Sequence, residues 1–202
     1  DEPSLGGREL LGGKGLGLSE MAKLGAPVPA GFTITTDACR AFMAEGHGSL
    51  PAGLEEEIAT QIARLERLTG SRFGDASLPL LVSVRSGAAT SMPGMMDTIL
   101  DLGLNDAAVL GLAARTGNPR FAFDSYRRLI QMFGEVVEGI DVHVFEHALD
   151  ELKAERGVES DVELTADDLD RLIARYQAIY LEQAGRPFPQ DAHEQLLRAV
   201  RA

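Results

Sequence analysis

The stretch from Leu80 to Leu104, LLVSVRSGAATSMPGMMDTILDLGL, places one arginine at the end of an apolar run and follows it with a glycine- and methionine-containing segment. Leu80, Leu81, Val82 and Val84 suit a short buried strand, and Arg85 stands where that run ends. A guanidinium is planar, permanently charged and able to grip phosphate oxygens through two parallel hydrogen bonds. Gly87 and Gly94 let the backbone turn tightly and approach a ligand, Pro93 restricts the residue before it, and a strand resumes at Thr98. Ser86, Thr90, Ser91 and Thr98 supply hydroxyls. Met92, Met95 and Met96, set around Pro-Gly, read as a loop over a site, although methionines also serve as adaptable core filler. Most arginines at strand ends are solvated or paired with a surface carboxylate, so this pattern alone does not define a site.

A second cluster lies near the start, LLGGKGLGLSEM from Leu10 to Met21. Its glycines present a single lysine, Lys14. Leu18, Met21, Ala22 and Leu24 recur at helical spacing downstream, so Lys14 is expected in a loop entering a helix, where backbone N–H groups favour anions. The P-loop pattern does not fit. It requires Gly where Arg8 stands and Ser or Thr where Gly15 stands, and Gly12, Gly13, Gly15 and Gly17 do not meet the dinucleotide fingerprint either.

Taken together and in this order, the two clusters closely resemble the amino-terminal nucleotide-binding region of the pyruvate, phosphate dikinase family. The residues that carry the likeness are LLGGKGLGLSEMAKLGAPVPAGFTITTDAC around Lys14 and PLLVSVRSGAATSMPGMMDTILDLGLND around Arg85. GNPRFAFDSYRRLIQM (Gly117 to Met132) and LTADDL (Leu164 to Leu169) extend it over nearly the whole chain. The string Ser-Met-Pro-Gly-Met-Met-Asp-Thr is its most specific part, because related dikinases that use water as second acceptor differ there. The resemblance implies that Lys14 and Arg85 are the family's phosphate-binding, catalytic cations. It also implies that Gly87, Thr90, Ser91, Met92, Gly94, Met95, Asp97 and Thr98 belong to a loop that closes over the triphosphate. Asp97 would orient a phosphate-bound metal or brace the loop. One departure is Ala89, where the family usually carries a basic residue.

The same likeness implies a fold and a reaction. The expected class is α+β, with the first part of an ATP-grasp-like domain over residues 1–104 and a helical subdomain over 105–202. In the intact family ATP gives one phosphoryl group to a carrier histidine and another to orthophosphate, and the carrier then phosphorylates pyruvate. The implied ligands are therefore ATP, orthophosphate and pyruvate, with magnesium held by residues outside this chain. Implied partners are the second half of the nucleotide-binding domain and a phosphohistidine domain, in an enzyme expected to be a homodimer. Two alternatives stand beside this reading: a sister phosphotransferase with water or another acceptor, and a helical interaction module using Arg120, Arg127 and Arg128.

Composition narrows the classes. With 202 residues, 45% of them hydrophobic, the chain can bury a proper core. The formal net charge of −12 argues against a nucleic-acid binder. Most of that charge lies between Glu135 and Asp170, so the neighbourhoods of Lys14 and Arg85 are left free to attract an anion. There is no apolar run long enough to cross a bilayer and no basic-then-apolar leader, which makes the cytoplasm the expected compartment. Cys39, the one cysteine, has no partner for an internal disulfide and is expected as a small apolar residue on a helix. His47, His143, His147 and His193 lack the surroundings of a phosphocarrier. His143 and His147, four apart, could share a helix face, but no third metal ligand accompanies them.

The elements that must position these residues can be read from periodicity. A helix should follow Gly17 and end at Gly25, a short strand should cover Phe32 to Thr35, and Thr36 or Asp37 should cap the next helix. Leu54, Ile58, Ile62, Leu65 and Leu68 predict an amphipathic helix before Gly70. After Asn105 the helices Asp106 to Thr116, Arg120 to Glu138, Val142 to Arg156 and Ala166 to Gln183 are separated by Gly117, Gly139, Gly157 and Gly185. Thr165 and Asp168 should form a capping box. A last helix from Gln190 meets no stop signal, as expected of a piece of a longer protein.

Overall fold

Glycine punctuation and apolar spacing decide most of the architecture. The computed structural model describes residues 7–44, 46, 49–86 and 98–202. Its elements are α1 (Arg8–Lys23), α2 (Thr36–Ala44), α3 (Leu54–Thr69), β1 (Arg72–Phe73), β2 (Pro79–Leu80), β3 (Val82–Arg85) and β4 (Thr98–Leu102), then α4 (Ala108–Thr116), α5 (Pro119–Glu138), α6 (Val142–Arg156), α7 (Ala166–Ala184) and α8 (Ala192–Arg201). The fold is α+β, rich in helix with two small sheets: β1 pairs with β2 in parallel, and β3 pairs with β4.

By packing the chain divides into two units. One comprises residues 1–70, 85–97 and 201, and the other residues 71–84, 98–200 and 202. In the second unit α5 lies against α7, α4 and β4, and α6 packs on α7. Tyr126, Leu129, Ile130 and Phe133 of α5 are buried together with Leu169, Leu172, Tyr176 and Tyr180 of α7. These positions recur at three and four, as expected for facing helices. Gly117, Gly139, Gly157 and Gly185 all adopt the left-handed conformation at helix C-termini, a backbone state that side chains resist. Gly111 serves differently. A Cβ there would stand 1.8 Å from the carbonyl oxygen of Ala76, so only glycine lets the 74–78 turn lie on α4.

The acidic stretch is largely paired. Glu138 accepts from the Tyr180 hydroxyl at 2.7 Å and from Arg186 at 2.8 Å, and it also meets Arg198. Glu155 binds Arg175 at 2.6 Å. Asp161 accepts from the buried Arg127 at 3.0 Å, while Arg120 donates to the carbonyls of Asp161 and Leu164. Arg128 pairs with Asp124 at 3.1 Å. Arg120 and Arg127 thus fasten the 161–164 turn to α5, and of the three arginines of the interaction-module alternative only Arg128 stays exposed.

Thr165 and Asp168 form the expected capping box at the start of α7, and Arg156 closes on the same carboxylate. The Thr165 hydroxyl, then the Thr165 N–H and Arg156, hold the Asp168 carboxyl below its ordinary value of 3.8. A carboxyl lowered in the folded state contributes stability that is present above 3.8 and lost as pH falls through the folded value. Denaturant unfolding followed from about pH 5 to about pH 2 should therefore show a steeper loss for the parent than for Asp168→Asn. Parallel curves would mean that the box makes no pH-linked contribution.

Several sequence expectations are corrected. Phe32 to Thr35 forms no strand; it is an irregular connection, and the Thr35 hydroxyl accepts weakly from the Ala38 N–H at 3.5 Å. The Leu80–Val84 run is split at Leu81 into β2 and β3, which belong to different sheets. Leu68 is exposed although its spacing matches the buried Ile58, Ile62 and Leu65. Leu18 and Met21 on α1 and Leu24 just past its end, at helical spacing, also face outward, and Leu24 is 86% exposed. Cys39 lies on α2 as expected, but exposed.

Candidate functional site

The glycine-rich segment is helical rather than an open loop, and α1 is interrupted only at Gly12, whose φ of 67° and ψ of 175° lie far from helical values. Lys14 therefore sits at the start of the segment that follows the break. Gly15, one position on, lets residue 33 approach. A Cβ at Gly15 would stand 3.2 Å from Thr33 Cγ2 and Oγ1 and from Leu11 Cβ. The Thr36 hydroxyl donates to the carbonyl of Glu9, tying the start of α2 to the start of α1.

From this half-buried position the Lys14 ammonium donates to the carbonyl oxygen of Ser86 at 3.3 Å, across 72 positions of sequence. Ser86 directly follows Arg85, the last residue of β3, and both group by packing with α1 and α2. Arg85 is exposed, and neither Arg85 nor Lys14 has an ion-pair partner among the described residues. Most arginines of the helical unit are committed to carboxylates or backbone carbonyls, so an exposed guanidinium with no ion pair among the described residues, next in sequence to the acceptor of Lys14, stands apart from them. Two cations here, with no described carboxylate pairing either, suit a multiply charged anion such as a polyphosphate.

Of the remaining sequence candidates, Gly87, Thr90, Ser91, Met92, Gly94, Met95 and Asp97 lie outside the described residues, as do the expected mobility of the 92–96 loop, Ala89 and His47. Thr98 opens β4, is half-buried and groups with the helical unit. Among the described residues no group of three or more His, Cys, Asp or Glu could hold a metal ion. His143 and His147 are exposed on α6 beside Glu146 and Glu151, and His193 meets Phe73 edge-on at 5.2 Å. Lys14 and Arg85 are cations, so their chemistry suits the phosphates of a metal-bound nucleotide and not the metal. Sequence reading missed the Ser86 carbonyl and the break at Gly12. The adjacent Gly12-Gly13 pair was the available signal for the second.

β4 holds one unusual backbone. Asp101 has φ 61°, the left-handed region, without being glycine. Burial raises its carboxyl above the ordinary 3.8, against the opposing hydrogen bond from Ser125 and the charge of Arg128.

Comparison with known families supplies the class. Residues 8–58, which contain the Gly12 break and Lys14, match the family model described as "Pyruvate phosphate dikinase, AMP/ATP-binding domain". Over 195 residues, 96% of this chain, the sequence is 56% identical to the pyruvate, phosphate dikinase of Giardia intestinalis, covering 22% of that protein. It is 53% identical over 196 residues to the enzyme of Clostridium symbiosum, again 96% of this chain and 22% of the relative. It is also 53% identical over 195 residues to "Pyruvate, phosphate dikinase 1, chloroplastic" of Oryza sativa subsp. japonica, 96% of this chain and 20% of the relative. The chain is similar over nearly its whole length to pyruvate, phosphate dikinases and spans about a fifth of the length of these relatives. No described helix is long and apolar enough to cross a membrane.

Proposed function

We propose that this chain is the ATP-binding part of a pyruvate, phosphate dikinase, a phosphotransferase that converts ATP, pyruvate and orthophosphate to AMP, phosphoenolpyruvate and diphosphate through a carrier histidine outside this chain. The single observation that carries the reading is the hydrogen bond from Lys14 to the carbonyl of Ser86, the residue after Arg85, which supports the lysine acting alongside the segment that carries the arginine. Phosphoryl transfer depends on positioning and charge neutralisation more than on covalent chemistry by the protein. Lys14 acts as a point charge on the phosphates. Arg85 grips the transferring group with its two-pronged guanidinium, and residues 90–98 close over the triphosphate and exclude water. Magnesium, when bound with the nucleotide, neutralises phosphate charge.

The ATP-grasp-like architecture, the orthophosphate acceptor, the cytoplasmic location and the homodimer belong to the same proposal. The subdomain division at 104 belongs to it as well. A chloroplast relative at 53% identity makes the compartment a property to be measured for each member.

The test is calorimetric titration of the 202-residue chain with a non-hydrolysable ATP analogue. Lys14→Met should weaken binding by about tenfold, the value of one charge-assisted contact. Unchanged affinity would place the phosphates elsewhere. The chain alone should show no ATP-dependent phosphorylation of pyruvate in a coupled assay, because the carrier histidine and the pyruvate site lie outside it. Measured turnover would overturn the division of labour proposed here.

A further inference from the structure

We infer that Gly12 is a positioning residue: its backbone torsions, and not the space around it, aim Lys14 at the chain segment carrying Arg85 and Ser86. The inference deepens the nucleotide reading and rests on it only for the ligand. Residues on either side of Gly12 are helical, yet Gly12 itself has φ 67° and ψ 175°. A change of this size at one residue redirects everything that follows, and Lys14 comes two residues later. The region is one that side chains of L-residues essentially never adopt. Alanine would also favour the helical state that Gly12 departs from. Both effects drive Gly12→Ala toward an unbroken helix that carries the Lys14 ammonium off the Ser86 carbonyl.

The surroundings do not forbid a methyl group. A Cβ built at Gly12 meets nothing within 4 Å, whereas one at Gly15 meets Leu11 and Thr33 at 3.2 Å. The requirement at Gly12 is therefore one of handedness. The mirror image of its conformation is ordinary extended backbone, so these torsions suit D-alanine and oppose L-alanine. Gly17 provides the contrast, since it lies in α1, keeps a negative φ and also has open space around its Cβ.

The experiment makes D-alanine at position 12 accessible through Cys39, where a synthetic peptide of residues 1–38 can be ligated to the remainder. In a Ser86→Cys background a short amine-to-thiol crosslinker joins Lys14 to the thiol introduced at position 86, and peptide mass spectrometry separates that product from one at Cys39. Without nucleotide, the parent, the Gly17→Ala protein and the protein with D-alanine at position 12 should crosslink alike. Gly12→Ala should lose about tenfold or more in yield, the population penalty for an L side chain in that region. Equal yield from Gly12→Ala would overturn the inference. So would a loss in the D-alanine protein, which also covers the case in which Gly12→Ala does not fold.

Binding of the ATP analogue to the same set then tests the ligand. Weaker binding by Gly12→Ala with recovery in the D-alanine protein supports the joint reading. The expected crosslink pattern with equal affinities throughout would support the positioning by Gly12 and overturn the assignment of Lys14 to the phosphates.

Discussion

Arg85→Lys is expected to weaken binding of a non-hydrolysable ATP analogue nearly as much as Arg85→Ala. Lysine keeps the charge but not the planar pair of donors that matches two phosphate oxygens. A charge-assisted contact of this kind is worth on the order of 1.5–3 kcal/mol, roughly ten- to hundred-fold in affinity. The exposure of Arg85 puts the lower part of that range first for this chain, since water screens a charged contact that a closed site would strengthen. Calorimetry on the parent and the two variants measures it. Equal affinities for all three would make Arg85 a structural residue at the end of β3. Full recovery by lysine would show that charge alone is required.

Gln195→Leu should cost the helical unit about 3–5 kcal/mol, because it leaves three buried backbone groups without partners. Gln195 is wholly buried. Its Oε1 accepts from the Gly103 N–H at 2.9 Å, and its Nε2 donates to the carbonyls of Leu104 at 2.9 Å and Pro189 at 2.8 Å. One side chain on α8 thus secures the exit of β4, the strand paired with β3, whose last residue is Arg85. Leucine fills similar space but offers neither donor nor acceptor. Thermal unfolding followed by circular dichroism should show a midpoint lower by on the order of 10 °C. A shift within about 2 °C would mean that water or backbone movement satisfies the three groups.

Local chemistry made much of the helical unit legible before any contact was known. Gly117, Gly139, Gly157 and Gly185 end helices because each adopts a left-handed backbone that disfavours side chains, a property of the residue itself. The capping box of Thr165 and Asp168 spans four residues and is complete within them. The likeness to the dikinases was carried by strings around Lys14 and Arg85, and the family match and relatives bear it out.

Other features required the folded chain. An apolar residue has no information about what will cover it, so Leu18, Met21, Leu24 and Leu68 matched helical spacing yet lie at the surface. Phe32 to Thr35 has strand composition but no ladder partner among the described residues, and strand formation depends on a partner as much as on composition. The buried amide of Gln195 became informative only once α8 met the end of β4.

By itself the sequence determined the glycine stops of the helical unit, the Thr165–Asp168 cap and the likeness to the dikinases, because torsional preference and hydrogen-bonding capacity belong to individual residues. Only the tertiary structure decided that the ammonium of Lys14 reaches the carbonyl of Ser86, 72 positions away, and that Arg127 turns inward to Asp161 while Arg85 stays exposed. Those outcomes depend on which surfaces pack together and which backbone groups are left seeking partners, quantities that exist only when distant segments are brought into contact.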